Sequence, residues 1–234
     1  MFDHLEKEAE NVRTFYFRPP APISYTAGQY IELSVPHLHP DKRGQKRWFT
    51  LSSSPSDELV SITTKFVLGG GKSSSFKHAL LKLQKGDEVA MSEPMGDFVL
   101  PKFLQIPLIF VAGGIGITPY HSMLNWLHDS KEERPITMIY GVGSEDEIIF
   151  QDTLNRSKHH VIIIVKEPSP TWGGEQGQLN AELIRGLGQP KKDSLIYISG
   201  PEPMVEKLNI DLIKQGIKQS QLVTDFFPNY PPDY

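Results

Sequence analysis

A chain of 234 residues that is 38% hydrophobic and carries twelve phenylalanines can bury a core unaided. It has no cysteine, which excludes iron–sulfur clusters, thiolate metal centres, thiol nucleophiles and disulfides, so any redox chemistry needs a borrowed cofactor. The formal net charge of -4, with acids and bases interspersed, gives no basic footprint for nucleic acid or anionic lipid.

The opening MFDHLEKEAENVR carries acids and no apolar signal segment, and the longest apolar run, Ile106 to Gly116, is too short to cross a bilayer. A cytoplasmic location without membrane contact is therefore expected. From Glu10 to Pro101 the runs NVRTFYFRPP, QYIELSVPH, LVSITTKFVL and DEVAMSEP alternate polar and apolar residues between clusters of Gly, Pro, Ser and Asp. Such spacing predicts a small antiparallel β-barrel. One helix interrupts it at SSFKHALLKL, where Phe76, Leu80, Leu81 and Leu83 make a helical stripe. Lys42, Arg43, Lys46 and Arg47 form a basic cluster that reads as a solvated loop, with Arg47 set apart below. His37 and His39 with Asp41, or His159 beside His160, lack a fourth ligand, and no metal is expected.

After Lys102 the pattern changes to buried apolar runs followed by helices. PLIFVAGG precedes a helix near Pro119 to His128, ITMIYGV one near Glu145 to Asn155, VIIIVKEP one near Leu179 to Leu187, and SLIYISG one near Pro203 to Gln215; QLVTDFF is the last run. Uninterrupted Ile, Val and Leu suit strands covered on both faces. The expected architecture is β + α/β: a barrel over 1–101, then a doubly wound parallel-sheet domain over 102–234, with ligands at the strands' carboxyl ends. At the end of PLIFVA, Gly113-Gly114-Ile115-Gly116-Ile117-Thr118-Pro119 can bring backbone N–H groups close to a pyrophosphate. Thr118 is the expected N-cap and Pro119 the first helical residue, which would set a helix N-terminus under an anion. A plain βα turn is the competing reading. A second turn of this kind, Ser199-Gly200-Pro201-Glu202-Pro203-Met204, would complete the floor of a dinucleotide site.

GGIGITP and SGPEPM resemble the nicotinamide-binding motifs of the ferredoxin–NAD(P) reductase family of flavoenzymes. Arg47-Trp48-Phe49-Thr50 is similar to that family's flavin motif, with Phe for Tyr and Thr for Ser, and Gly71-Lys72-Ser73-Ser74 to its phosphate-binding GxxS. Gly86-Asp87, then Pro94, Gly96 and Phe98, and finally Asp225-Phe226-Phe227 match further turns and the terminal acid-x-aromatic, so the resemblance runs from about Arg13 to Phe227.

The resemblance implies a flavin-binding barrel joined to an NAD(P)-binding domain, and a flavin-dependent NAD(P)H oxidoreductase. Arg47 would contact the flavin phosphate, Phe49 one face of the ring and Thr50 its N5, while Trp48 would flank the flavin chain or simply pack. Gly71, Lys72, Ser73 and Ser74 would hold the pyrophosphate, which favours FAD over FMN; Ser74 reads equally well as a helix N-cap. Gly113, Gly114, Gly116, Thr118, Pro119, Gly200, Pro201 and Met204 would receive the nicotinamide dinucleotide. Ser199 stands where the family often has Cys, and Asp225 where it has Glu. Phe226 or Phe227 would stack on the second flavin face, or pack in the core. NADH or NADPH is the implied substrate, with Glu145, Asp146 and Glu147 after the second parallel strand inclining the choice to NADH. The implied acceptor is a separate ferredoxin-like carrier or a small oxidant, and the expected state a monomer. A flavin-binding subunit without hydride transfer is the alternative.

Overall fold

The computed structural model describes residues 1–67 and 74–225, so Gly71, Lys72, Ser73, Phe226 and Phe227 lie outside the described residues. Strands β1 (Phe2–Ala9) and β2 (Val12–Phe17) are followed by β3 (Tyr30–Ser34), β4 (Lys46–Thr50) and β5 (Val60–Lys65). Helix α1 (Ser75–Leu81) precedes a two-residue β6 (Ala90–Met91). These strands form two antiparallel three-stranded sheets, β1-β2-β5 and β4-β3-β6, linked by a bridge between Leu51 and Ile62.

Alternation explains what each strand buries. Phe15 and Phe17 of β2, Ile31 and Leu33 of β3, and Ile62 of β5 point between the sheets, and α1 adds Phe76 and Leu80. Leu81, expected on the apolar stripe, is exposed instead, because a helix of seven residues turns only Phe76 and Leu80 inward. Strand β1 was not expected. After the buried Phe2 it is mostly polar and solvent-facing, and cross-strand pairs hold it: His4 stacks on Tyr16 at 4.4 Å, and the Tyr16 hydroxyl donates to Glu6 at 3.0 Å.

The rest of the chain alternates strands with helices, except that its fourth strand follows its third directly. β7 (Leu108–Gly113), α2 (Thr118–Ser130), β8 (Ile136–Val142), α3 (Gln151–Arg156) and β9 (His160–Val165) come first. A short β10 (Glu175–Gln176), α4 (Ala181–Gly188), β11 (Leu195–Ser199), α5 (Glu202–Lys214) and β12 (Leu222–Asp225) follow. All six strands run parallel in the order β10-β9-β8-β7-β11-β12. Phe110 and Ala112 of β7 face Tyr120, Met123 and Leu127 of α2, while Ile109 and Val111 face Ile184 of α4 and Val205 and Leu208 of α5. The doubly wound sheet expected from the apolar runs is therefore present.

The helix expected near Glu145 to Asn155 is instead a 3-10 turn, Glu145–Glu147, and then α3. Phe150 separates them by taking φ 56°, where its ring stacks on His121 at 3.7 Å between centroids. Winding proceeds from β7 through β8 to β9 on one side, then crosses to β11 and β12 on the other. The reversal lies between β7 and β11, at Gly113 and Ser199, and a crevice at such a switch point is where open α/β sheets bind ligands.

Candidate active site at the switch point

The glycine turn after β7 is tighter than the sequence suggested. Gly114, at φ 51°, starts a 3-10 turn over Gly114–Ile117 that runs directly into α2. Thr118 is therefore the first α-helical residue and not the cap; Ile117 occupies the cap position without a side-chain bond, and Pro119 is the second helical residue. The unpaired N–H groups of the combined helix belong to residues just after Gly113, one turn earlier than expected.

The other glycines allow close packing of the two turns. A Cβ on Gly116 would lie 2.3 Å from the Ser199 carbonyl oxygen and 2.6 Å from Gly200 Cα. One on Gly113 would lie 2.3 Å from the Met204 sulfur, and one on Gly200 would lie 2.5 Å from the Met204 methyl. Met204 thus packs beneath the turns, and it, Gly113, Gly114 and Pro119 do not line the cleft above them. Gly116, Thr118, Gly200 and Pro201 do.

That cleft has a volume of about 530 Å³, within the usual range for small-molecule sites. Its opposite wall comes from the antiparallel sheets, with Arg47, Trp48, Phe49 and Thr50 of β4 and with Ser74 and Phe76 at α1. Ser199 and Asp225 end adjacent strands at its base.

Arg47 is 3% exposed. One terminal nitrogen forks onto both carboxylate oxygens of Asp41 at 2.9 and 3.0 Å, and the other donates to the carbonyls of Arg43, Gly44 and Lys46. Its guanidinium sits 5.3 Å over the Phe76 ring. Among the described residues the Nε proton is buried without an acceptor, an unmet donor at the cleft wall. Asp41 is held below the ordinary carboxylate range: against a burial that would raise it, the Arg43 N–H and the Arg47 guanidinium stabilise its charge. Its carboxylate also accepts the Ser75 N–H, and the Ser75 hydroxyl is bonded by His37, whose other ring nitrogen meets the Val35 carbonyl. His37 and Asp41 are thus occupied with one another's neighbourhood, as befits a scaffold for Arg47.

Phe49 lies 5.8 Å from Phe76, and Trp48 packs 6.1 Å from Tyr30 on the opposite face of β4. Ser74 caps α1, accepting the Lys77 N–H at 3.3 Å while bordering the cleft. Both readings of this serine are therefore compatible with its place.

The Ser199 hydroxyl donates to Asp225 Oδ2 at 3.3 Å. Part of Asp225 faces the cleft, yet protein surrounds the carboxyl closely enough that burial pushes it up to about 6, against the Ser199 bond and with help from Asp97.

Sequence reading missed the strip from Thr63 to Val67, which leaves β5 along the cleft wall. Its alternation identified a strand but not what lay opposite. It also missed the ties between the halves. His121 donates from Nδ1 to the Ser52 carbonyl at 2.7 Å, the Ser122 hydroxyl donates to the Ser53 carbonyl, and Lys65 pairs with Glu147 at 2.9 Å. Burial pushes His121 down to about 4, so it is a neutral hydrogen-bonding ring at physiological pH. Two of the three acids after β8 are engaged: Glu147 also accepts the Gly143 N–H, and Glu145 accepts the Ser169 N–H.

Residues 110–209 match the family model of the oxidoreductase NAD-binding domain. The whole fold superposes with a TM-score of 0.78 on a ferredoxin NADP+ reductase from Neisseria gonorrhoeae with bound FAD and NADP, at 18% identity over 96% of each chain. The fold is that of ferredoxin reductase-like proteins. Flavohemoprotein A of Dictyostelium discoideum is 29% identical over 96% of this chain and 59% of its own length. The glycine betaine monooxygenase reductase subunit of Pseudomonas aeruginosa is also 29% identical, over 97% of this chain and 63% of its own. The chain thus spans about three-fifths of the length of these curated relatives. Among the described residues no helix is long and apolar enough to cross a membrane.

Proposed function

We propose that this protein is an FAD-dependent NAD(P)H oxidoreductase whose cleft brings a nicotinamide against an isoalloxazine and whose electrons go to a separate acceptor. The observation that carries this reading is the meeting of two walls at one crevice: the Arg47-to-Thr50 strand on one side, and the paired Gly116 and Gly200 turns on the other. Bound FAD supplies the chemistry, accepting a hydride and handing its electrons on.

The residues present fit that group. The unmet Nε proton of Arg47 and its fixed guanidinium suit a phosphate oxygen, a charge-assisted contact that a cation already anchored by Asp41 makes without further ordering. Phe49 gives an aromatic surface for a planar ring and Thr50 a buried hydroxyl beside it. Ser74 borders the same wall at the start of α1. Ser199 and Asp225, at the ends of β11 and β12, would stand beside a nicotinamide ring held on the Gly200 turn. A hydroxyl and a carboxyl with pKa about 6 can hold or pass a proton there. The substitution of Ser for Cys leaves a hydrogen-bond donor in place. Asp146, Glu145 and Glu147 at the end of β8 make that corner unfavourable for a 2′-phosphate, which supports NADH over NADPH. Gly113 and Met204 would serve by keeping the two turns in contact, and Gly114 by its left-handed φ at the start of the 3-10 turn.

Two relatives point to the class of acceptor. One is named as a monooxygenase reductase subunit and another as a stachydrine N-demethylase reductase subunit, so a protein redox partner is the reading we favour.

Purification followed by denaturation and chromatography of the released chromophore tests the cofactor. FAD, at close to one equivalent after reconstitution, is expected. Release of FMN would remove the pyrophosphate role from Ser74, and a chain that takes up neither flavin would overturn the reading.

A further inference from the structure

A file of buried hydroxyls leads from the outer sheet to the cleft. Glu8 Oε1 lies 2.7 Å from Thr14 Oγ1, Thr14 Oγ1 lies 2.8 Å from Thr63 Oγ1, Thr63 donates to Ser52 Oγ at 2.9 Å, and Ser52 Oγ lies 3.1 Å from Ser61 Oγ. All four hydroxyl residues are at most 5% exposed, and Thr63 also lines the cleft.

Each hydroxyl has one proton to donate. If Thr63 donates to Ser52, the Thr14–Thr63 contact needs the Thr14 proton, which the Thr14 bond to Glu8 also needs. The Thr14–Glu8 contact then has none unless the carboxyl supplies it. An ionised Glu8 instead requires every hydroxyl to point the other way, from Ser61 towards the carboxylate. The two arrangements differ by one proton and by the direction of each O–H.

We propose that Glu8 and the Thr14, Thr63 and Ser52 hydroxyls form a proton path between solvent and the cleft, which switches between an arrangement with Glu8 ionised and one with Glu8 protonated. The surroundings of Glu8 agree. Its pKa is raised, first by burial, against the Thr14 bond; Glu6 on its own strand and Asp152 at α3 raise it further. The cation on the paired strand, Arg13, is turned to the carbonyls of Ala9, Glu10 and Val12.

The path's use rests on the flavin reading given above. A hydride from a nicotinamide brings both electrons to an isoalloxazine, and forming the neutral reduced ring takes up one further proton. Thr63, on the cleft wall, would give up that proton, with Thr14 resupplying Thr63, Glu8 resupplying Thr14 and solvent reprotonating Glu8.

Carbon-13 titration of the Glu8 carboxyl in the full chain, with the signal assigned from E8Q, tests the proton count without any flavin. A midpoint above the ordinary 4.5 is expected. It should fall in T63V, because the freed Thr14 proton then stabilises the carboxylate, an effect that burial alone would not produce. In flavin-loaded protein, an indicator dye would follow proton uptake as NADH bleaches the flavin. E8Q and T14V should slow uptake by about a hundredfold, the low end for acid–base assistance, with T14S restoring it.

A midpoint at or below 4.5, one unmoved in T63V, or wild-type proton uptake in both E8Q and T14V overturns the path. Failure to bleach at all would count against the flavin reading, and the titration would still judge Glu8.

Discussion

Gly116 is the residue on which the floor of the cleft most depends. It has no positive φ, so alanine would by itself stabilise the chain by about 0.4–1 kcal/mol through a less flexible unfolded state. Sterics oppose this. The new methyl would sit 2.3 Å from the Ser199 oxygen, 2.5 Å from its carbonyl carbon and 2.6 Å from Gly200 Cα, all backbone atoms that no rotamer change can move. Ordinary contact begins at 3.4 Å, so the β7 and β11 turns must part by about 1 Å. Overpacking of that kind costs about 1–3 kcal/mol, leaving a net loss of about 1–2 kcal/mol. The effect on function should be larger than that on stability, since a displacement of about 1 Å in a positioning element can cost about a hundredfold in rate. Urea unfolding and the rate of NADH oxidation would be measured on G116A beside G186A. Gly186 lies in α4 with no atom within 4 Å of a new Cβ, so that control should gain about 1 kcal/mol. A G116A protein as stable as the wild type, with an unchanged rate, would refute the close-packing argument.

Three further outcomes follow from the same geometry. The folded Asp225 carboxyl keeps its proton to about pH 6 and the unfolded one only to 3.8, so the native state binds more protons between these values and stability falls as pH rises through them. D225N should stabilise the protein by about 1–2 kcal/mol at pH 8 and by nearly nothing at pH 4, read from denaturant midpoints; equal effects at both would contradict the shift. R47K keeps the charge but loses the fork to Asp41 and the spare Nε donor, and flavin affinity measured by fluorescence quenching should weaken at least about tenfold. S74A should cost about 1 kcal/mol through the lost cap of α1 even without cofactor; an additional drop in FAD affinity would mark the second role of this serine.

The α/β half was legible because its strands are buried on both faces and say so in unbroken Ile, Val and Leu. β1 was not, since a strand on a sheet edge needs only Phe2 inside and keeps its other side chains for cross-strand pairs such as His4 with Tyr16. The glycine turns were found by pattern, yet their purpose was only half readable. Sequence spacing suggests room for a ligand, whereas Gly113 and Gly116 meet Met204 and Ser199, residues far along the chain that pattern alone cannot place. Likewise, Thr118 looked like a cap because the early turn depends on Gly114 taking a left-handed φ. Arg47 was identified from its motif, but its clamp by Asp41 and its unmet donor came only from packing. Thr63 and its hydroxyl partners carry no signal in a strand that simply alternates.

Anaerobic stopped-flow absorbance after mixing NADH with FAD-loaded protein addresses the two-wall cleft most directly. The flavin band should bleach in a single turnover, and NADH deuterated at the transferred position should slow that bleaching several-fold. A flavin band that persists with both NADH and NADPH would show that no nicotinamide reaches the ring across this cleft.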